Sequence, residues 1–356
     1  MANVDYQKEL KDLIDIVVSE NGSDIHLSVG SHPMVRVSGS LIPLVKKPVL
    51  TDNDVREFCE TLLSREQYER IQEKREMDFS YAHSGGVRFR GNAYFQKGSM
   101  ALALRHIPDQ IRTIAELNLP PILETFAERP QGFFLCVGPV GQGKSTTLAA
   151  LIQLINSSRA DHIVTIEDPI EYVFTPDKAL IDQREVHTDT KDFSQALNAA
   201  FRQDVDVIMV GEMRNPETIG TAVTAAETGH LVLSTLHTNN AAQTIDRIID
   251  SFPAGQQDQI RVQLAGSLAG IFSQRLIPRI AGGLVPTYEL LINNSAVANL
   301  IREQRTHEIQ TVIETGLEQG MIDMNRSLTD LVKKGEITVE NAFTYSINPK
   351  GLERLM

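Results

Sequence analysis

The sequence predicts an α/β protein with two domains, a small α+β domain over residues 1–112 and a largely parallel-sheet domain over residues 113–356. Three observations support this prediction. The chain has 356 residues, enough for about two domains of ordinary size. Helices and strands follow a mixed order in the first part and alternate regularly in the second. The charge balance also changes near residue 112, with 15 basic and 16 acidic side chains before it and 19 and 30 after it.

Composition and charge exclude several broad classes of protein. Hydrophobic residues make up 42% of the chain and charged residues 22%, which is ordinary globular usage and not that of a disordered chain or a coiled coil. The net charge of −12 argues against nucleic acid as a partner. The two cysteines, Cys59 and Cys136, can form neither a disulfide scaffold nor a zinc ribbon. With no signal core and no apolar run near the ~20 residues of a membrane span, we expect a cytoplasmic protein without direct membrane insertion.

The elements of the first domain follow from the spacing of apolar residues. Leu10, Leu13, Ile14 and Val17 are spaced as on one face of a helix, which Asn21-Gly22 should end. Strand-like segments follow at 24–28, 33–37, 87–95 and 100–105, and a charged helical stretch is predicted from residue 52 to about residue 74.

In the second domain, short apolar runs alternate with helical segments. The runs lie at 132–137, 162–166, 207–210 and 231–234, after a connection at 109–130 that contains one short helix. Such runs predict parallel strands covered on both faces. From about residue 296 the pattern is that of several helices joined by polar connections.

The strongest local signal is a complete phosphate-binding loop between the first apolar run and a helix. The nine residues concerned are Gly138, Pro139, Val140, Gly141, Gln142, Gly143, Lys144, Ser145 and Thr146. Glycines allow backbone N–H groups to surround phosphates, and the helix N-terminus adds its positive dipole end. In this interpretation Lys144 reaches the β- and γ-phosphates of ATP and the Ser145 hydroxyl ligates Mg²⁺. Thr146 suits either phosphate support or helix capping.

A carboxylate follows the apolar run at 207–210. Glu212 stands in Gly-Glu-Met-Arg, where P-loop enzymes present an acid toward Mg²⁺ and the attacking water. The usual Asp-Glu pair is Gly-Glu here, so metal ligation by Glu212 can be indirect. A surface glutamate is the alternative interpretation.

Two adjacent carboxylates, Glu167 and Asp168, follow the run at 162–166. The carboxyl end of a parallel strand is where α/β sheets place ligands, which favours a Mg²⁺ or water site. The same residues, followed by Pro169, also suit a helix cap or an acidic turn.

Two histidines lie before and after the run at 231–234. His230 precedes it and His237 follows it, where a histidine could sense the γ-phosphate. A pair of histidines that merely flank a strand is the alternative.

Together these motifs resemble the secretion-ATPase superfamily of ring-shaped motors, over nearly the whole chain. The resemblance is closest to its type IV pilus retraction branch. The segments that support it are Ser23–Ser28, Gln183–His187, Gly211–Arg214, Ala226–Val232, Thr235–Thr238, Thr244–Ile248 and Ala298–Glu303.

The resemblance implies a PAS-like N-terminal domain, a RecA-like P-loop ATPase domain with a helical C-terminal portion, and a homohexamer. It implies that Glu167 and Glu212 are the carboxylates needed for hydrolysis, and that His230 and His237 sense the γ-phosphate. Nucleotide would lie between the two domains of one subunit, and the neighbouring subunit would deliver arginines. Arg88, Arg90 and Arg105 stand at positions that look like those arginines.

The implied function is ATP-driven retraction of type IV pili. The partners would be an inner-membrane pilus platform protein and, indirectly, the pilus fibre, with the motor peripheral at the inner face of the cytoplasmic membrane. An accessory retraction ATPase would share every catalytic motif. Pilus-extension and type II secretion ATPases usually carry an extra N-terminal domain and a four-cysteine metal site, neither of which we expect here. A DNA-translocating ring and a non-hydrolysing nucleotide-binding scaffold are the remaining alternatives.

Overall fold

The computed structural model describes residues 4–37, 39–107, 110–213 and 215–356, and these form two compact units. One unit contains the described residues up to Gln110 together with the segment Pro169–Val173. The other contains Ile111–Asp168 and Phe174–Met356.

In its described residues, the first unit is an antiparallel sheet with three α-helices. Its elements in chain order are α1 (Tyr6–Ser19), β1 (Asp24–Ser28), β2 (Met34–Val37), β3 (Ser40–Pro43), α2 (Asp52–Leu62), α3 (Arg65–Lys74), β4 (Glu76–Ala82), β5 (Arg88–Gln96) and β6 (Ser99–Ile107). The strand order is β3-β2-β1-β6-β5-β4. The predicted α+β organisation of this part is therefore present.

One sheet face and the helices share an apolar core. Leu10 and Val17 of α1 and Phe58 of α2 belong to the same buried cluster as Phe89 of β5 and Leu104 of β6. Because side chains alternate along a strand, the polar residues of these strands lie on the other face.

The helical stretch predicted from residue 52 to about residue 74 is confirmed, and the structure divides it into two helices, α2 and α3. The chain is extended at Leu63 and Ser64. Ser64 begins α3 with a reciprocal pair of hydrogen bonds to Gln67, a capping box that competes with continuation of α2.

The second unit surrounds a seven-stranded sheet. Its elements are α4 (Glu124–Ala127), β7 (Gly132–Val137), α5 (Lys144–Ser158), β8 (His162–Glu167), β9 (Leu180–Glu185), α6 (Phe193–Ala200), β10 (Val207–Val210), α7 (Pro216–Glu227), β11 (Leu231–Leu236), α8 (Ala241–Asp250), α9 (Ala254–Ser267), β12 (Leu268–Pro278), β13 (Leu284–Ile292), α10 (Ser295–Arg302), α11 (Ile309–Thr315), α12 (Met324–Lys333), α13 (Val339–Tyr345) and α14 (Pro349–Glu353). The strand order is β13-β12-β7-β11-β10-β8-β9.

The sheet is parallel except for its edge strand. β7, β8, β9, β10, β11 and β12 pair in parallel, and β13 pairs antiparallel to β12. The four predicted runs are β7, β8, β10 and β11. Their carboxyl ends lie side by side at one end of the sheet. We call this end the catalytic edge, because it carries the residues after Val137, Ile166, Val210 and Leu236, which the sequence predicts to act on a nucleotide.

The β12–β13 hairpin has no counterpart in the sequence prediction. Ser273, Gln274 and Arg275 interrupt the apolar run of β12, so it lacks the continuous apolar pattern of the other central strands. All three side chains are nevertheless buried. Their burial is tolerated because each of them makes hydrogen bonds, to residues near the phosphate-binding loop or at the start of α8.

Candidate nucleotide site

The phosphate-binding loop connects the end of β7 to the start of α5. Gly138, Gly141 and Gly143 have φ angles of +148°, +77° and +80°, which L side chains rarely adopt. A Cβ added at Gly138 would lie 2.5 Å from the Gln274 carbonyl oxygen. Glycine is therefore required at Gly138 by both conformation and close approach.

The remaining predicted loop residues occupy the surface of this turn and the first turn of α5. Pro139, Val140 and Ser145 are exposed, while Gln142 and Thr146 are half-buried. The Gln142 side chain accepts a hydrogen bond from the Leu276 N–H at 2.7 Å.

Lys144, the first residue of α5, is only 7% exposed. Its ammonium donates to the carbonyl oxygens of Gly138 at 2.8 Å and Pro139 at 2.9 Å. It also lies 3.2 Å from Nδ1 of His237, at the end of β11. A buried ammonium requires such partners, because losing water without replacement is costly.

His237 also connects to the carboxylate predicted after β10. Its Nε2 lies 3.4 Å from Oε1 of Glu212. The chain thus brings together Lys144, His237 and Glu212, from three different places in the sequence, at the catalytic edge. Both His237 and Glu212 keep part of their side chains exposed, 41% and 26% respectively, so a ligand can approach them.

Glu167, the last residue of β8, is buried on the same edge. Its Oε1 accepts a hydrogen bond from the Thr165 hydroxyl at 2.7 Å and lies 3.4 Å from Nε2 of Gln183. The Gly211 N–H donates to the Ile166 carbonyl at 2.8 Å, which places the segments before Glu167 and Glu212 side by side. Asp168 follows Glu167 and is half-buried.

His230 lies at the opposite edge of the sheet, so its prediction as a γ-phosphate sensor for the loop of the same chain is wrong. Its carbonyl accepts a hydrogen bond from Gly132 N–H, at the start of β7, and its ring packs edge-on against Phe201. β11 has six residues, which separates its two ends by about 20 Å. His230 and His237 flank the same strand in the sequence, but they lie far apart in space.

The three predicted arginines lie on the polar face of the sheet in the first unit. Arg90 is opposite Arg105 on neighbouring strands, and Arg88 is two residues before Arg90 on the same face. Arg105 donates to Asp24 at 3.0 Å, and its side chain is 72% exposed. Nη1 of Arg90 lies 3.3 Å from Oε1 of Glu171, which belongs to this unit as part of the segment Pro169–Val173.

Sequence reasoning missed the contacts from β12 to the phosphate-binding loop. The Thr147 hydroxyl donates to Gln274 at 2.7 Å, and Nε2 of Gln274 would lie 2.9 Å from a Cβ at Gly143. The apolar residues at 268–272 and 276–277, on either side of the polar interruption, are the signal that could have identified this strand.

The oxygen donors at the catalytic edge suit Mg²⁺. Ser145, Glu167, Asp168 and Glu212 supply hydroxyl and carboxylate oxygens, the ligands this hard cation prefers. Among the described residues no group of three or more His, Cys, Asp or Glu forms a metal cage by itself.

No helix in the described part of the chain is both long and apolar enough to cross a membrane.

Comparison with known proteins places the chain in a family. Residues 7–283 match the model of the type II/IV secretion system protein family. The type IV pilus retraction ATPase PilT of Pseudomonas aeruginosa is 43% identical over 334 residues, which are 94% of this chain and 97% of PilT. A twitching motility protein of Neisseria gonorrhoeae is 46% identical over 311 residues, which are 87% of this chain and 83% of that protein.

A solved structure extends this likeness to the fold. A crystal structure of the pilus retraction motor PilT with bound ADP superposes with a TM-score of 0.90 and 46% identity, over 96% of this chain and 98% of that one. The α/β fold with two sheets matches that structure. The chain therefore belongs to the type II/IV secretion system protein family, in the branch of the PilT retraction ATPases.

Proposed function

We propose that this protein is an ATPase motor that drives type IV pilus retraction. The observation that carries the proposal is the contact series Lys144–His237–Glu212. It links the phosphate-binding loop to a strand-end carboxylate through one histidine. The relatives named for pilus retraction and twitching motility support the direction of the output.

The residues at the catalytic edge have distinct roles in this proposal. The loop Gly138–Thr146 holds the phosphates of ATP, with Lys144 donating to the β- and γ-phosphates. Ser145, Glu167, Asp168 and Glu212 would hold Mg²⁺, which neutralises charge that develops on the phosphates.

Glu212 and Glu167 are the two carboxylates that can orient or deprotonate the attacking water. His237 touches both Lys144 and Glu212, so it is suited to sense the γ-phosphate between them. Loss of the γ-phosphate would change what His237 contacts, and this change can be passed to α8, which begins four residues later.

The assembly we propose is a homohexamer of chains with a PAS-like domain at 1–112 and a RecA-like domain at 113–356. One subunit supplies Arg88, Arg90 or Arg105 to the nucleotide of its neighbour. An arginine delivered in this way is worth about 10³–10⁵ in the rate of P-loop hydrolysis. The ring acts on an inner-membrane pilus platform protein from the cytoplasmic side, and through it on the pilus fibre.

The biochemical test is Mg²⁺-dependent ATP hydrolysis by the purified chain. Lys144→Ala and Glu212→Ala should each lower kcat by about 10²-fold or more, because Lys144 neutralises charge on the reacting phosphate and Glu212 orients the attacking water or holds Mg²⁺. Glu217→Ala, which removes an exposed carboxylate from the first turn of α7, is the matched control and should keep wild-type turnover. Unchanged kcat in either site variant would refute the assigned roles.

The same variants decide the biological output when they replace the chromosomal copy in the source organism. Retraction predicts excess surface pili and lost twitching motility in both the deletion and the Lys144→Ala strain. Bald cells would instead indicate an extension motor. Loss of motility that is restored by overproducing a second retraction ATPase would indicate an accessory motor.

A further inference from the structure

The segment between β11 and α8 carries His237 and is held by three side chains from the β12–β13 hairpin. Ser273 and Glu289 are directly opposite each other on the two strands, and Arg275 is two residues from Ser273. The three therefore face the same side of the hairpin. That side faces residues 239–241.

Each of these side chains makes a defined contact with the segment. The Ser273 hydroxyl donates to the Asn239 carbonyl at 2.9 Å. Arg275 donates to the same carbonyl at 3.1 Å and to the Asn239 side-chain oxygen at 3.0 Å. Glu289 accepts a hydrogen bond from the Ala241 N–H, in the first turn of α8, at 2.8 Å.

Burial makes these contacts unusual. Arg275 is 8% exposed and Glu289 is 2% exposed, and charged residues are seldom so deeply buried without a specific use. The hydrolytic roles assigned above use neither residue. Replacing their charges with packed apolar side chains would fill the space, but it would not fix the backbone at Asn239 and Ala241.

We propose that Arg275 and Glu289 are positioning residues for ATP hydrolysis, which hold residues 239–241 and thereby keep His237 between Lys144 and Glu212. The inference rests on the proposed function of the Lys144–His237–Glu212 series. His237 is two residues before Asn239 and four residues before Ala241, so displacement of the held segment moves the imidazole.

The charge of Glu289 is expected to change near neutral pH. Burial raises the pKa of the Glu289 carboxyl to about 7, together with the nearby Asp323 and Glu314, while the Ala241 N–H and Arg275 act in the opposite direction. Above that pH the ionised carboxyl accepts a charge-assisted hydrogen bond and attracts the positive end of α8. Below it the carboxyl is neutral and holds the segment less firmly.

The test compares wild type with Glu289→Gln, whose amide oxygen can still accept from Ala241 but carries no charge at any pH. The wild-type kcat divided by the variant kcat should be near one at pH 6. It should rise to about three- to tenfold at pH 8.5, with a midpoint near 7 and with little change in KM. Taking the ratio cancels any pH dependence that the wild type and the variant share. A ratio that does not vary with pH would overturn the proposed role of Glu289.

Hydrogen–deuterium exchange provides a readout that needs no activity. Arg275→Gln and Glu289→Gln should each speed exchange in the peptide that covers residues 238–244 by about tenfold at pH 8, with the rest of the chain unchanged. Asp192→Asn is the matched control. The Asp192 carboxylate also accepts a hydrogen bond at the N-terminus of a helix, from the Gln195 N–H of α6 at 2.7 Å, but Asp192 is exposed. It should alter neither the exchange of residues 238–244 nor the pH dependence of kcat.

The two measurements separate this inference from the proposed function. A wild-type chain that hydrolyses no ATP would refute the function, and the exchange experiment would still decide whether Arg275 and Glu289 hold the segment. Active wild type with unchanged exchange in both variants would overturn the inference alone.

Discussion

Lys144 shows how a buried charge determines the conformation around it. Its ammonium replaces water with two backbone carbonyl oxygens, and these are available because the loop turns back over the start of α5. That turn requires positive φ at Gly138, Gly141 and Gly143. The glycines therefore serve the lysine as well as the phosphates they are expected to bind.

A pair of alanine substitutions tests this dependence at the residue scale. Gly138→Ala should destroy nucleotide binding, since the new methyl group would lie 2.5 Å from the Gln274 carbonyl in addition to the strain of a positive φ. Gly141→Ala adds only backbone strain of about 1–3 kcal/mol, because no atom lies within 4 Å of its Cβ position. Binding of a fluorescent ATP analogue should fall much further in the first variant. Equal losses would argue against the contact with Gln274.

At the scale of elements, local sequence signals decided where helices start, and long-range contacts decided which strands exist. The capping box at Ser64 and Gln67 divides the predicted helical stretch into α2 and α3. The strand β12, in contrast, depends on contacts with residues that are distant in the sequence. Its buried Ser273, Gln274 and Arg275 are compatible with a strand only because the phosphate-binding loop and the α8 segment supply their hydrogen-bond partners.

The cap at α3 can be measured directly. Ser64→Ala removes the acceptor for the Gln67 N–H and should lower the free energy of unfolding by about 1 kcal/mol, detected by chemical denaturation. Ser64→Thr keeps the hydroxyl and should lose much less. The same loss in both variants would mean that the helix start does not depend on this hydroxyl.

At the scale of the whole molecule, the negative charge is distributed unevenly between the first 112 residues and the rest of the chain. The first 112 residues are nearly neutral and carry Arg88, Arg90 and Arg105, while the remainder has 19 basic and 30 acidic side chains. In a ring of identical chains, an arginine-bearing surface that meets an acidic neighbour would favour a fixed order of contacts. This contact between neighbouring subunits belongs to the proposed hexamer.

Subunit mixing tests the delivery of arginine between chains. Arg90→Ala and Arg105→Ala should each reduce ATP hydrolysis, and mixing either with Lys144→Ala subunits should restore part of the activity, because each variant supplies what the other lacks. Arg36→Ala is a control on the same sheet face, since Arg36 pairs with Asp24 beside Arg105. Absence of any recovery on mixing would exclude delivery in trans.

The sequence by itself determined the phosphate-binding loop, the four central strands β7, β8, β10 and β11, the strand-end carboxylates Glu167 and Glu212, and the family. These depend on contiguous residues, whose spacing and chemistry can be read without knowing what they contact. Only the tertiary structure decided that His237 joins Lys144 to Glu212 while His230 lies at the other edge. It alone placed Arg275 and Glu289 against the segment that carries His237. The reason is that the role of a buried polar residue depends on its partner, and the partners here are from about 25 to about 130 residues away along the chain.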